Sequence, residues 1–192
     1  MKTVLFNGSP RPNGNTYEML KTVAEVLSEK GIETEIVQIG GKPVNGCKAC
    51  GTCFKSADKK CVQRDGLNEN FAKMAEADAI IIGSPTYYAD LTPETKVLID
   101  RCGFLNMANG NPLKRKLGAA VVAVRRAGSV HVFDSINHFF LINQMIIPGS
   151  SYWNMSLART FGDYEKDEEG IRTMKTLGEN IVWLLESLCK SK

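Results

Sequence analysis

The chain has 192 residues, 43% hydrophobic and 23% charged, with 24 Lys+Arg against 21 Asp+Glu for a net charge of +3. That length suits a single domain, 1–192, with a substantial apolar core, and so mild a charge, without blocks of like sign, excludes a nucleic-acid footprint. No apolar run approaches a membrane span, and the opening MKTVLFNGSP is too short in apolar residues for a secretory signal, so the cytoplasm is the expected compartment.

TVLFN at 3–7 is a short run rich in branched apolar residues and reads as a buried strand. Met19, Leu20, Val23, Val26 and Leu27 then recur at helical spacing between Thr16 and Lys30, and Gly31 supplies a stop. IETEIVQI at 32–39 alternates apolar with polar residues, as an edge strand does. After it comes a cysteine-rich insert at about 43–65, then a helix. DAIIIGS at 78–84 and LGAAVVAV at 117–124 are continuous apolar runs, the mark of parallel strands covered on both faces. Between them Thr92-Pro93 reads as an N-cap and first-turn proline opening ETKVLIDRCGFL. A helix carrying His131 and His138 follows, and QMIIPGSSY at 144–152 reads as a fifth strand. The last helix, roughly 167–189, shows Ile171, Met174, Ile181, Leu184 and Leu188 on one face. Asp167, Glu168 and Glu169 fill its first turn, and Lys190 and Lys192 lie beyond its end. This alternation predicts an α/β fold, a doubly wound five-stranded parallel sheet with helices on both faces. Ligands of such sheets bind outside the carboxyl ends of the strands, where strand order reverses.

NGSPRPNGNT at 7–16 stands at such an end and opens a helix. It is neither GxGxxG nor GxxxxGK[ST]. It does offer what a phosphate needs: the hydroxyls of Ser9 and Thr16, the cation of Arg11, close backbone approach at Gly8 and Gly14, and free amides at a helix start. A plain turn would use the same residue types. The run resembles the flavin-phosphate loop, GSPRxxGNT, of the flavodoxin-like NAD(P)H-dependent FMN reductase family, which brings Asn13 and Asn15 into the expected set. GSPTYYADLTPETKVLIDR at 83–101 is similar to that family's second flavin loop, and AVRRAGSV at 123–130 and GSSYWNM…GDYEKDEEG at 149–170 complete the likeness. The resemblance implies FMN held by Ser9, Arg11, Asn13, Asn15, Thr16, Ser84, Pro85, Thr86, Tyr87, Tyr88, Arg125, Ala127 and Gly128. Tyr87 and Tyr88 otherwise read as half-buried packing, Arg125 and Arg126 as surface cations, and Trp153 as either a flavin cover or packing.

The spacing of Cys47, Cys50, Cys53 and Cys61 is C-x2-C-x2-C-x7-C. A compact triplet plus a fourth thiolate stands nearest to one [4Fe–4S] cluster; unmetallated redox thiols and zinc, which favours two separated pairs, are the alternatives. The iron–sulfur flavoprotein branch of the same family carries this compact motif. By that resemblance the cluster lies near a subunit interface, so a homodimer or homotetramer is expected. Cys102, among Leu98, Ile99 and Phe104, reads as a core thiol and Cys189 as incidental. His131 and His138 read as structural or surface residues. Asp163 and Asp167 flank a helix start, where acids are favoured anyway.

The function expected is an FMN-dependent oxidoreductase. It takes electrons from NAD(P)H or a ferredoxin-like donor and passes them to a quinone, flavin, oxygen or small organic acceptor, with a [4Fe–4S] cluster as an added carrier. The flavin supplies the chemistry, so no protein acid or base is required. An electron-transfer flavoprotein working between carrier proteins, and a thiol- or metal-based redox sensor, are the competing readings.

Overall fold

In the computed structural model, which describes residues 1–190, five parallel strands form one sheet in the order β2-β1-β3-β4-β5. They are β1 (Lys2–Asn7), β2 (Glu33–Gln38), β3 (Ala79–Pro85), β4 (Leu117–Val124) and β5 (Met155–Leu157). The helices are α1 (Asn15–Glu29), α2 (Thr52–Lys55), α3 (Leu67–Glu76), α4 (Pro93–Ala108), α5 (Ser129–Ile142) and α6 (Glu168–Lys190). Strand side chains alternate between faces. Val4, Phe6, Ile80, Ile82, Ala120 and Val122 therefore share one apolar cluster with residues of α3, α4 and α5. Leu5, Ile81, Ala119 and Val121 join the opposite cluster with α1 and α6. The sheet is covered on both sides, and β2, whose residues are at best half-buried, is an edge as its alternation predicts. Gly31, at φ 73°, ends α1. α6 runs through Lys190; Lys192 lies outside the described residues.

Two expectations need correction. The fifth strand is Met155–Leu157, paired with Val122–Val124, and not 144–152, of which only Ile146 bridges the sheet, opposite Leu117. Pro148 has no N–H for the ladder, so the chain leaves the edge there and returns seven residues later. Thr92 does occupy the N-cap of α4, but its hydroxyl does not cap. It donates instead to the Gly8 carbonyl at 2.8 Å and lies 2.8 Å from the Thr95 hydroxyl. The start of α4 is thereby fastened to the loop after β1.

Asp167 joins β5 to α6. Its carboxylate accepts from the Ser156 hydroxyl at 2.6 Å, the Leu157 amide at 3.0 Å and the Gly170 amide at 3.0 Å. Burial opposes ionisation, but these hydrogen bonds outweigh it and hold the carboxyl below the ordinary carboxylate range. A group with a depressed folded pKa stabilises the fold above its unfolded value, and that contribution is lost as pH falls through the folded value. Asp167→Asn is therefore expected to lower stability at neutral pH by about 1 kcal/mol, since solvent screens a half-exposed carboxylate. The gap between variant and wild type, followed by urea denaturation, closes as pH drops below 3.8; a gap unchanged down to acid pH would contradict this.

Candidate active site

The strand order reverses between β1 and β3, and the loops leaving β1, β3 and β4 crowd together at their carboxyl ends. The first is closely braced. Asn7, fully buried at the end of β1, accepts from the Ser9 amide at 3.1 Å and donates to the Gln38 side chain at 2.6 Å. Gln38 in turn donates to the carbonyls of Ser9 and Gly40, each at 2.7 Å. Gly40 crosses so close to Gly8 and Ser9 that a Cβ there would overlap their backbone. Fixed in this way, the loop presents the Ser9 and Thr16 hydroxyls with an exposed Arg11 and Asn13. The amides of Asn13, Asn15, Thr16 and Tyr17 donate to no protein acceptor among the described residues. Unpaired amides at the start of a fifteen-residue helix, with two hydroxyls and a cation, form an anion cradle.

The second loop is a tight turn. Tyr87 and Asp90 exchange backbone hydrogen bonds of 2.8 and 3.1 Å, and the two residues between them, Tyr88 and Ala89, have φ of 47° and 65°. Two left-handed residues in succession define a type I′ turn, a conformation that costs a tyrosine and an alanine energy and needs support. Support comes from the Asp90 side chain, which accepts from the Ser135 hydroxyl at 2.9 Å, and from Gly128 of the third loop. Gly128 adopts φ 90°, and a Cβ on it would lie 3.0 Å from the Ala89 Cα. The turn holds Tyr88 wholly in solvent, with Tyr87 half-exposed. Arg125, Arg126 and Ala127 are exposed beside it.

The residues expected to hold FMN thus reach one rim, but not all with free side chains. Ser84 is fully buried and its hydroxyl is engaged within the second loop, donating to Pro85 O and accepting from Thr92 N. The Asn15 side chain ties α1 to the segment before α6 through Thr160 and Tyr164. The Thr86 hydroxyl, by contrast, is buried with no hydrogen-bond partner. An unpaired buried hydroxyl is a group that awaits a partner. With the anion cradle it makes the rim fit a flavin phosphate at one end and a polar ring edge at the other.

The four cysteines line one cavity of about 130 Å³, walled by Phe54, Val62, Phe104 and Leu105. Cys53 lies in α2; Cys53 and Cys61 are half-buried against the core, while Cys47 and Cys50 are exposed. The Thr52 hydroxyl and amide hold the Cys50 thiol below its ordinary pKa, whereas burial pushes that of Cys53 up. No three His, Cys, Asp or Glu side chains among the described residues stand close enough to hold one ion. A donor set of thiols alone is chemically suited to soft metals, iron in a cluster or zinc. Sequence reasoning missed Arg101, which also lines this cavity; its charge within the apolar run of ETKVLIDRCGFL was the available signal. It missed Asn7 and Gln38 as well. His131 and His138 are exposed, and Trp153 packs on Phe133 with centroids 5.7 Å apart.

With this geometry in place, comparison with known proteins is specific. Residues 1–160 match the family of NADPH-dependent FMN reductases. An iron–sulfur flavoprotein of Methanocaldococcus jannaschii is 34% identical over 99% of this chain and 100% of its own. Among solved structures, RosB with its bound 8-demethyl-8-formylriboflavin-5'-phosphate superposes with a TM-score of 0.79 at 18% identity, covering 99% of this chain and 81% of that one. A flavodoxin from the domain Archaea gives 0.63 at 17% identity, covering 97% and 99%. These two show the fold, flavodoxin-like as the alternation of elements implied. The chain therefore belongs to the NADPH-dependent FMN reductase family, and is a flavin-dependent oxidoreductase.

Proposed function

We propose that the protein is a cytoplasmic iron–sulfur flavoprotein that moves electrons between FMN on the strand rim and one [4Fe–4S] cluster held by Cys47, Cys50, Cys53 and Cys61. The observation that carries this is the lining of a single cavity by four thiols in a chain that also presents an anion cradle. The name of the Methanocaldococcus relative, an iron–sulfur flavoprotein, supports it. When bound, the flavin accepts an electron pair and releases electrons singly, and the cluster carries one electron at a time.

The chain's own contribution is binding and orientation. Ser9, Arg11, Thr16 and the free amides of α1 hold the phosphate. The Tyr87–Asp90 turn, Thr86 and the Arg125–Gly128 loop would bound the ring end of a bound flavin. Between residues 42 and 65 stand six basic side chains, Lys42, Lys48, Lys55, Lys59, Lys60 and Arg64, against two acidic ones. All six but Lys59 are exposed, and Asp65 is consumed by an internal ion pair with Arg101. Such a positive surface beside the thiols favours an acidic carrier protein of the ferredoxin kind as electron donor. A homodimer or homotetramer is the assembly we infer. Its test is sedimentation of the holoprotein.

Anaerobically purified protein is expected to contain about four iron and four acid-labile sulfide per chain beside FMN. Reduced ferredoxin is expected to reduce it in a salt-sensitive reaction. Absence of iron and sulfide refutes the cluster. Fast reduction by NADPH with no response to ferredoxin retains the flavoenzyme and refutes the carrier as donor.

A further inference from the structure

Arg101 is an expensive residue. It lies in the middle of α4 with its side chain 1% exposed, next to the fully buried Cys102. A guanidinium in such a place must be paired, and a buried pair seldom adds stability over well-packed apolar side chains. Asp65 pairs it bidentately, with Nη1 at 2.6 Å and Nη2 at 2.9 Å from the two carboxylate oxygens. The other hydrogen of each Nη goes to the cysteine segment. Nη1 reaches the Asn45 carbonyl at 3.0 Å, two residues before Cys47, and Nη2 reaches the Cys61 sulfur at 3.2 Å. Nε–H has no acceptor among the described residues. Cys61 is fixed from its other side too, because Asn68 accepts from its amide and donates to its carbonyl, both at 2.9 Å. The guanidinium thus joins the two ends of the cysteine segment to α4 and aims a charged donor at one of the four sulfurs.

We propose that Arg101, oriented by Asp65, is a positioning residue for the cluster: it fixes the Cys61 sulfur and raises the cluster's reduction potential through its hydrogen bond. This rests on the cluster reading above. Reduction adds negative charge to the iron and its thiolates, and a cationic donor on a ligand sulfur stabilises that charge. The Asp65 carboxylate moderates the effect, so the two side chains act with opposite sign.

The experiment is an EPR-monitored redox titration of anaerobically reconstituted holoprotein, with iron and FMN quantified on each sample. Arg101→Gln, which removes the donor and leaves the Asp65 charge unpaired, is expected to shift the cluster potential to more negative values. Asp65→Asn, which leaves the guanidinium uncompensated, is expected to shift it to more positive values. The double variant falls between Arg101→Gln and wild type, its remaining deficit being the hydrogen bond alone. General loosening of the fold would not move two neighbouring variants in opposite directions. If Arg101→Gln fails to bind FMN and so to fold, the positive shift in Asp65→Asn carries the test, and its absence overturns the proposal. Wild-type protein without iron overturns the cluster reading itself. Iron at wild-type stoichiometry, with a potential unmoved by Arg101→Gln, overturns the role of Arg101 and leaves the cluster standing.

Discussion

Gly8→Ala protein is expected to be purified with little or no flavin. The residue follows β1 at the turn into the phosphate cradle, and its amide donates to the Gly83 carbonyl at 2.8 Å. A Cβ built there overlaps the Thr95 hydroxyl and comes within 2.8 Å of that same carbonyl. Thr95 is fully buried and hydrogen-bonded to Thr92, which also holds the Gly8 carbonyl, so the space cannot open without losing the bonds that shape the loop. Overpacking of this kind costs about 1–3 kcal/mol. Because the strain falls on the segment that aims the Ser9 hydroxyl and the free amides of α1, most of it is felt as weaker phosphate binding. A tenfold or greater loss of FMN affinity is expected, about 1.4 kcal/mol or more, read by quenching of flavin fluorescence on titration into apoprotein. Gly149→Ala serves as the control, since a Cβ there meets nothing within 4 Å. Arg11→Ala, which removes an exposed cation and leaves the backbone alone, should fall between them. Wild-type flavin content in Gly8→Ala protein would remove the phosphate from this loop.

Much of this site is legible from local pattern. The strands of the sheet's centre announce themselves because each is buried on both faces, so Ile80, Ile81 and Ile82 stand side by side without alternation. The cradle is legible because amides, hydroxyls and glycines at a strand-to-helix junction are all contributed by one decapeptide. β5 is not legible in the same way: three residues with an exposed Leu157 carry no periodic signal, and the stronger apolar run at 145–147 precedes a proline. The turn at Tyr88 and Ala89, and the left-handed Ala49 and Lys59 in the cysteine segment, have no glycine to advertise them. The turn is braced by Ser135 and Gly128, which are distant in sequence. The same is true of the contacts that make the thiol cavity. Arg101 meets Asp65 across 36 residues and Cys61 across 40, distances over which spacing alone says nothing. Asn7 could have been noticed as a polar residue closing an apolar strand; its partner Gln38 becomes meaningful only once β1 and β2 are known to pair at that register.

Cys53→Ser is expected to lose iron, sulfide and the broad visible absorption underlying the flavin bands, while FMN stays bound. Two oxygen-for-sulfur replacements, Cys53→Ser and Cys102→Ser, separate a ligand from a packing residue. Serine matches cysteine in shape, but its hydroxyl is a hard donor that does not ionise at neutral pH, so it fails wherever a soft thiolate is needed. Cys53 projects from α2 into the shared cavity, 53 and 61 being the two sulfurs nearest the core, and among the described residues the phosphate cradle makes no hydrogen bond to that helix. Cys102 lies one residue beyond Arg101 but is fully buried outside the cavity lining, and burial pushes its thiol well above the ordinary range. Cys102→Ser therefore keeps its iron and loses stability, by about 1–3 kcal/mol for a hydroxyl placed in an apolar core. Equal iron contents in the two variants would mean that the cavity thiols do no more than pack. Iron lost from Cys53→Ser alone, with flavin retained in both, assigns the metal to the segment between β2 and α3, and makes the two redox centres separable by single substitutions.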